Sequence, residues 1–155
     1  LCWRGAYGFG RFLLHQRAVA VLDSRIYQGE VARRVAAMRT MANPFRWVGL
    51  VEGQGFIERY SGLNLLQDFD PAGGALYYKP DGGAAIGRAR QTEPFRVFLG
   101  FAQWPVWTVT PAPKPEGGVM VEVSDVRFGP PGGSRFAASA ILDAGGRVNQ
   151  STLRF

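Results

Sequence analysis

Chemistry in a protein needs groups that move protons, attack, or hold a metal, and this chain offers few. Its only histidine is His15 and its only cysteine is Cys2. Thirteen positions apart on a segment that reads as helix, they cannot close a metal site by themselves. The sequence has no HExxH, no CxxC, no EF-hand loop, no Walker loop and no GxSxG elbow. Gly5, Gly8 and Gly10 have the wrong spacing for a dinucleotide loop. We therefore expect no metal site and no cofactor in this chain, and no catalysis by it alone. The remaining acid/base candidates are Glu52, Glu122 and Asp125. A small free-standing hydrolase using Asp125 and Glu122 is the enzymatic alternative, and it requires a cleft that holds both carboxylates with shifted pKa values.

Two polar patches are candidate binding sites. In Asn43-Pro44-Phe45-Arg46-Trp47, Asn43 can hydrogen-bond its own turn, Pro44 fixes the backbone, and Trp47 enters the core. Arg46 and Trp47 would be the ligand contacts; the plainer role is a turn that sets how a hairpin begins. In Asp125-Val126-Arg127-Phe128, alternation decides the reading. Val119, Val121 and Val123 share one face of a strand, with Met120, Glu122 and Ser124 on the other. Continued, the pattern turns Asp125 and Arg127 inward. Either a β-bulge near Ser124 restores the phase, or the two charges form a buried pair, since an unpaired buried charge is too costly to keep. We expect the pair, holding the turn at Asn43 or the backbone near Trp47.

The elements that would position these residues follow from periodicity. Trp3, Tyr7, Gly10, Leu14, Ala18 and Val21 recur at spacings of three and four, so residues 3–24 read as a helix, with Arg4, Arg11, His15 and Arg25 on a second, basic stripe. Residues 26–40 fit helix or strand. Phe45–Val51 and Phe56–Leu63 read as a hairpin around Gly53-Gln54-Gly55. A short strand at Ala75–Lys79, a weak helix at Ala84–Gln91, and a helix capped by Thr92 with Pro94 in its first turn come next. Strands at Val106–Thr110, Val119–Phe128, Arg135–Leu142 and Val148–Phe155, joined by Gly- and Pro-rich turns, complete an antiparallel meander. The predicted fold is α+β. An N-terminal amphipathic helix packs on a mostly antiparallel sheet of about six or seven strands, with one or two short helices inserted. Residues 1–40 form a helical, juxtamembrane segment and residues 41–155 the sheet domain, together one structural domain.

Charge narrows the partners. The chain of 155 residues carries a net +6, but residues 1–40 hold seven arginines against Asp23 and Glu30, a net +5. The sheet region is nearly neutral. That distribution disfavours a nucleic-acid binder, the second alternative, which needs basic residues spread over one face with exposed aromatics. It favours arginines of the first helix at lipid headgroups. No apolar run is long enough to span a bilayer.

The Asn43–Trp47 run, followed by Val51-Glu52 and the aromatic-bearing strand of Phe56 and Tyr60, resembles the C-terminal part of a bacterial membrane-protein family, as does the D-x-R-F element at Asp125–Phe128 with two closing strands after it. The family is the LexA-binding, inner-membrane-associated metal-dependent hydrolases, and the resemblance covers residues 10–155. It implies membrane helices with histidine motifs ahead of Leu1 and a soluble C-terminal domain. The histidines belong to that missing part, so no catalytic residue carries over. What the resemblance implies for this chain is an accessory or interaction domain on the cytoplasmic side of the inner membrane, open to a protein partner. Asn43, Pro44, Trp47, Asp125 and Arg127 are its family-type positions.

Overall fold

The computed structural model describes residues 2–40, 46–64, 69–80, 82–134 and 136–155, with side chains in the first helix described at position 10 and from position 12 onward. The described residues form three helices and ten strands, an α+β fold, in two compact units, Leu1–Tyr77 and Tyr78–Phe155. The expected division near residue 40 falls inside the first unit. The expected single sheet of six or seven strands is instead two four-stranded sheets and a two-stranded ribbon.

In the first unit, helix α1 (Cys2–Asp23) leads into a ribbon of β1 (Ile26–Tyr27) and β2 (Glu30–Val31), then a sheet of β3 (Arg34–Arg39), β4 (Arg46–Glu52), β5 (Phe56–Asn64) and β6 (Ala75–Tyr78) in sequential order. The ribbon settles the ambiguous stretch 26–40 as strand. Its two-residue turn, Gln28-Gly29, has φ of 49° and 81°, the doubly positive geometry that matches strand twist in a tight hairpin. β3 pairs with β4 from Arg34↔Glu52 to Arg39↔Trp47, so residues 34–39 belong to the sheet. A register shift between Trp47 and Gly49 against β5 keeps Leu63 in phase with Tyr60, and both enter the core beside Trp47, Val51 and Phe56. α1 contributes Ala18 and Leu22, both fully buried, with Leu14 packed alongside. The apolar stripe thus runs through Leu22 where Val21 was expected. Gly49 makes room for it: a Cβ there would lie 3.0 Å from a Leu22 methyl.

The second unit begins with α2 (Ala84–Arg90) and α3 (Glu93–Phe101), followed by the meander β7 (Pro105–Pro111), β8 (Val119–Asp125), β9 (Ala137–Leu142) and β10 (Val148–Arg154), ordered as in sequence. One sheet face packs on the helices. Ile86, Ala89, Phe95 and Phe98 meet Trp107, Val121, Val123, Ala138 and Ala140. The small alanines of β9 leave space for the aromatic rings, and Phe95 stacks on Trp107 at 5.7 Å. Thr92 precedes α3 but its side chain does not cap it. The hydroxyl instead donates to the Ala89 carbonyl at 2.8 Å, which also accepts from the Thr92 backbone N–H at 3.0 Å, so Thr92 closes the end of α2.

Candidate functional site

β8 carries Val121, Val123 and Asp125 on one face. Its pairing with β7 runs without a shift from Pro111↔Val119 to Pro105↔Asp125. No bulge intervenes at Ser124, and Asp125 arrives inward, fully buried. Its carboxylate accepts from the backbone N–H of Gln103 at 2.8 Å, of Trp104 at 3.3 Å and of Arg127 at 3.0 Å. The Arg127 side chain adds Nε at 3.0 Å to each oxygen and Nη2 at 2.8 Å. Arg127 Nη2 also donates to the Phe101 carbonyl at 3.3 Å. The pair therefore ties the end of α3 and the start of β7 to the end of β8. These partners all lie within the second unit; Asn43 and Pro44, the turn the pair was expected to hold, lie outside the described residues. Burial alone would raise the Asp125 pKa, but the hydrogen bonds from the Arg127 side chain and from the Arg127, Gln103 and Trp104 backbone outweigh it and hold the carboxyl below its ordinary value. A carboxylate has about four lone-pair sites, and these donors occupy them, so the arrangement suits a structural clamp.

Glu122 sits three residues earlier on the same strand and so faces the other side of the sheet. It pairs with Arg154 and accepts from the Gly132 N–H at 3.2 Å. Glu122 and Asp125 are thus separated by the sheet and do not form an acid/base couple. Glu52 pairs with its cross-strand partner Arg34 at 2.9 Å. Among the described residues no group of three His, Cys, Asp or Glu side chains could hold a metal ion.

Trp47 is buried at the start of β4, with the His15 ring 5.7 Å away, centroid to centroid. His15 and Arg46 are exposed. The Arg46 carbonyl accepts from the Thr40 backbone at 3.1 Å and from its hydroxyl at 3.0 Å, which closes the β3–β4 connection. Arg46 and Trp47 fall in the first unit and Asp125 and Arg127 in the second.

Three features escaped the sequence reading. The first is a buried polar cluster in the first unit. Glu58 shares its strand face with Phe56 and Tyr60 and is 2% exposed. It accepts from Gln28 Nε2 at 2.7 Å and lies 2.5 Å from the Tyr60 hydroxyl, which is also 2.6 Å from the Pro71 carbonyl. The Tyr27 hydroxyl donates to the Leu22 carbonyl at 2.7 Å. Burial, then the Glu58 charge, pushes the Tyr27 hydroxyl up to about 12; burial and the Glu58 hydrogen bond push Tyr60 above the usual tyrosine range. Both phenols stay protonated donors. The signal was present in the alternation of Phe56, Glu58 and Tyr60. The second is an exposed aromatic cluster in which Phe136 meets Phe128 at 5.4 Å and Phe155 at 5.6 Å. The third is a set of large apolar side chains in residues 12–33 that stand in solvent. Phe12 is 57% exposed, Leu13 50%, Ile26 66% and Val31 68%; Ile26 and Val31 are cross-strand partners in the ribbon.

No family model, no curated protein and no solved structure matches this chain.

Proposed function

We propose that this chain is an extramembrane accessory or interaction module held at a bacterial inner membrane, with residues 12–33 seated on the anionic lipid surface. The observation that carries the reading is the company those residues keep. Phe12, Leu13, Ile26 and Val31 are each half or more exposed, and Arg17 and Arg33 are exposed in the same stretch. Apolar side chains entering the headgroup region, with arginines drawn to anionic lipid, are the components of interfacial binding. Each arginine near such a surface contributes about 1 kcal/mol. α1, with a helical rise of ~1.5 Å per residue, extends roughly 33 Å, and its embedded residues Ala18 and Leu22 lie toward its C-terminal end. No helix among the described residues is long and apolar enough to cross a membrane. The residues at 43–47 and 125–128 support assignment to the metal-dependent hydrolase family named above, whose histidine-bearing part would supply any hydrolysis; the arginine bias supports the cytoplasmic side.

Truncation to residue 41 is a poor test, because it removes β3 and the core residues Leu22 and Tyr27. Surface variants are cleaner. Flotation with anionic and with zwitterionic vesicles should show the chain rising with the anionic ones. Phe12→Ser with Leu13→Ser, and separately Ile26→Ser with Val31→Ser, should reduce that fraction while leaving the melting temperature unchanged. Equal partitioning of the parent and both double variants would refute the reading.

A further inference from the structure

The face of the second sheet turned away from α2 and α3 mixes polar and apolar side chains, and it carries a cavity of about 400 Å³. Register builds its floor. Thr108, Glu122, Ser139 and Thr152 are successive cross-strand partners on β7, β8, β9 and β10, so their side chains form one row on one face. Met120 and Thr110 belong to the next row, and Arg154 and the β8–β9 connection at Pro131-Gly132 complete the walls.

Glu122 is 7% exposed, an unusual place for a carboxylate on the outer face of a sheet. Arg154 and the Gly132 N–H take one interaction at each oxygen, and about half of its lone-pair sites remain open. Arg154 is half exposed and has more N–H donors than its bond to Glu122 uses. The Ser139 and Thr152 hydroxyls bond each other at 2.9 Å, while those of Thr108 and Thr110 bond none of the described residues. The cavity thus sets an acceptor beside a donor, with the hydroxyls of Thr108 and Thr110 near them and the apolar surfaces of Met120 and Pro131 at the side.

We infer that this cavity binds an uncharged, polyhydroxylated ligand of the saccharide class. The charges select it. An anionic ligand would meet Glu122 and a cationic one Arg154, whereas the pair together carries no net charge. Adjacent hydroxyls on a sugar ring can donate to Glu122 and accept from Arg154 at once, and the C–H face of the ring fits Met120 and Pro131. The volume lies within the range of roughly 300–1,000 Å³ usual for small-molecule sites. Beyond it, on the same row as Thr110 and Met120, Ile141 and Gln150 line a second open space against the Pro-rich loop after β7, which gives a longer oligosaccharide room to continue.

The test is calorimetric titration and saturation-transfer NMR on the full chain with glucose, N-acetylglucosamine and cellobiose, and with glucuronate and glucosamine as charged counterparts. A neutral sugar should bind one to one and more tightly than its charged counterparts. Glu122→Gln should weaken it roughly tenfold or more, since a charge-assisted hydrogen bond is lost. Because Glu122 also holds Arg154, Thr108→Val is the second variant. It removes a hydroxyl that bonds no described residue, and it should lower affinity with the melting temperature unchanged. Absence of binding by all three neutral sugars, tighter binding of a charged counterpart, or affinity unchanged in both variants overturns the proposal.

Discussion

Burying a carboxylate costs several kcal/mol, and Asp125 offsets this with donors from two directions: the backbone and side chain of Arg127 in the turn that follows it, and the N–H groups of Gln103 and Trp104 between α3 and β7. Removing one member of such a pair strands the other. Asp125→Asn and Arg127→Met should each cost about 3–5 kcal/mol in denaturant unfolding, and the double variant less than the sum of the two. Shifts of a few tenths of a kcal/mol would mean the pair does not hold the junction. The pH dependence has a definite sign. The folded pKa of Asp125 lies below its ordinary value of 3.8, so its stabilisation is complete above that value and is lost as pH falls through the folded one. The melting temperature of the parent should therefore drop more steeply than that of Asp125→Asn below about pH 4. Strand alternation alone foretold that Asp125 points inward. It could not foretell the partners, because the N–H groups of Gln103 and Trp104 come from a chain segment some twenty residues away that only the packing of α3 brings near. Glu58 was equally visible in the alternation of β5, but its donor Gln28 sits in a turn that the sequence does not announce.

Elements were recovered where turn chemistry punctuates them. The hairpin of β4 and β5 and the meander of β7 to β10 are bounded by glycine and proline, and their limits agree with expectation to within about two residues, except that β8 ends at Asp125, three residues before the expected Phe128. The ribbon of β1 and β2 was ambiguous because Gln28-Gly29 lacks the Asn-Gly or Asp-Gly signature of its turn, and Gln28 adopts φ of 49° while its side chain holds Glu58. α1 was recovered as a helix, but its inner stripe is set by a feature of another element. Gly49 opens β4 to Leu22, with a Cβ position 3.0 Å and 3.2 Å from the two Leu22 methyls and 3.5 Å from Tyr60 Cβ. Gly49→Val should cost about 1–3 kcal/mol by overpacking. Gly62→Ala on β5, where a Cβ meets nothing within 4 Å, should stay within about 0.5 kcal/mol. Equal melting temperatures for the two variants would show that α1 is not seated on β4 through Leu22.

The division of the whole chain was the least accessible to the sequence. A change from helical to strand patterning near residue 40 looks like a boundary, yet β3, which ends at Arg39, pairs along its full length with β4 on the far side of that position. What separates the units is which strands find each other. β6 ends the first sheet, and α2 and α3 intervene before β7 opens the second, so each sheet buries its own inner face. The unit Tyr78–Phe155 has a core of Ile86, Ala89, Phe95, Phe98, Trp107 and Val123, the Asp125 clamp, and two buried tryptophans, Trp104 and Trp107. A chain of that size buries about 60% of its unfolded surface, enough for marginal independent stability. A fragment of residues 78–155 should therefore unfold cooperatively in urea, with tryptophan emission shifting to longer wavelength as Trp104 and Trp107 meet water. A featureless titration, or emission already at the solvent-exposed wavelength without urea, would mean that this core depends on residues 1–77. The same fragment discriminates at the membrane. It lacks Phe12, Leu13, Ile26, Val31 and the arginines among them, so it should stay at the bottom of an anionic vesicle gradient in which the full chain floats. Flotation of the folded fragment would move the lipid contact away from residues 12–33, to the exposed rings of Phe128 and Phe155.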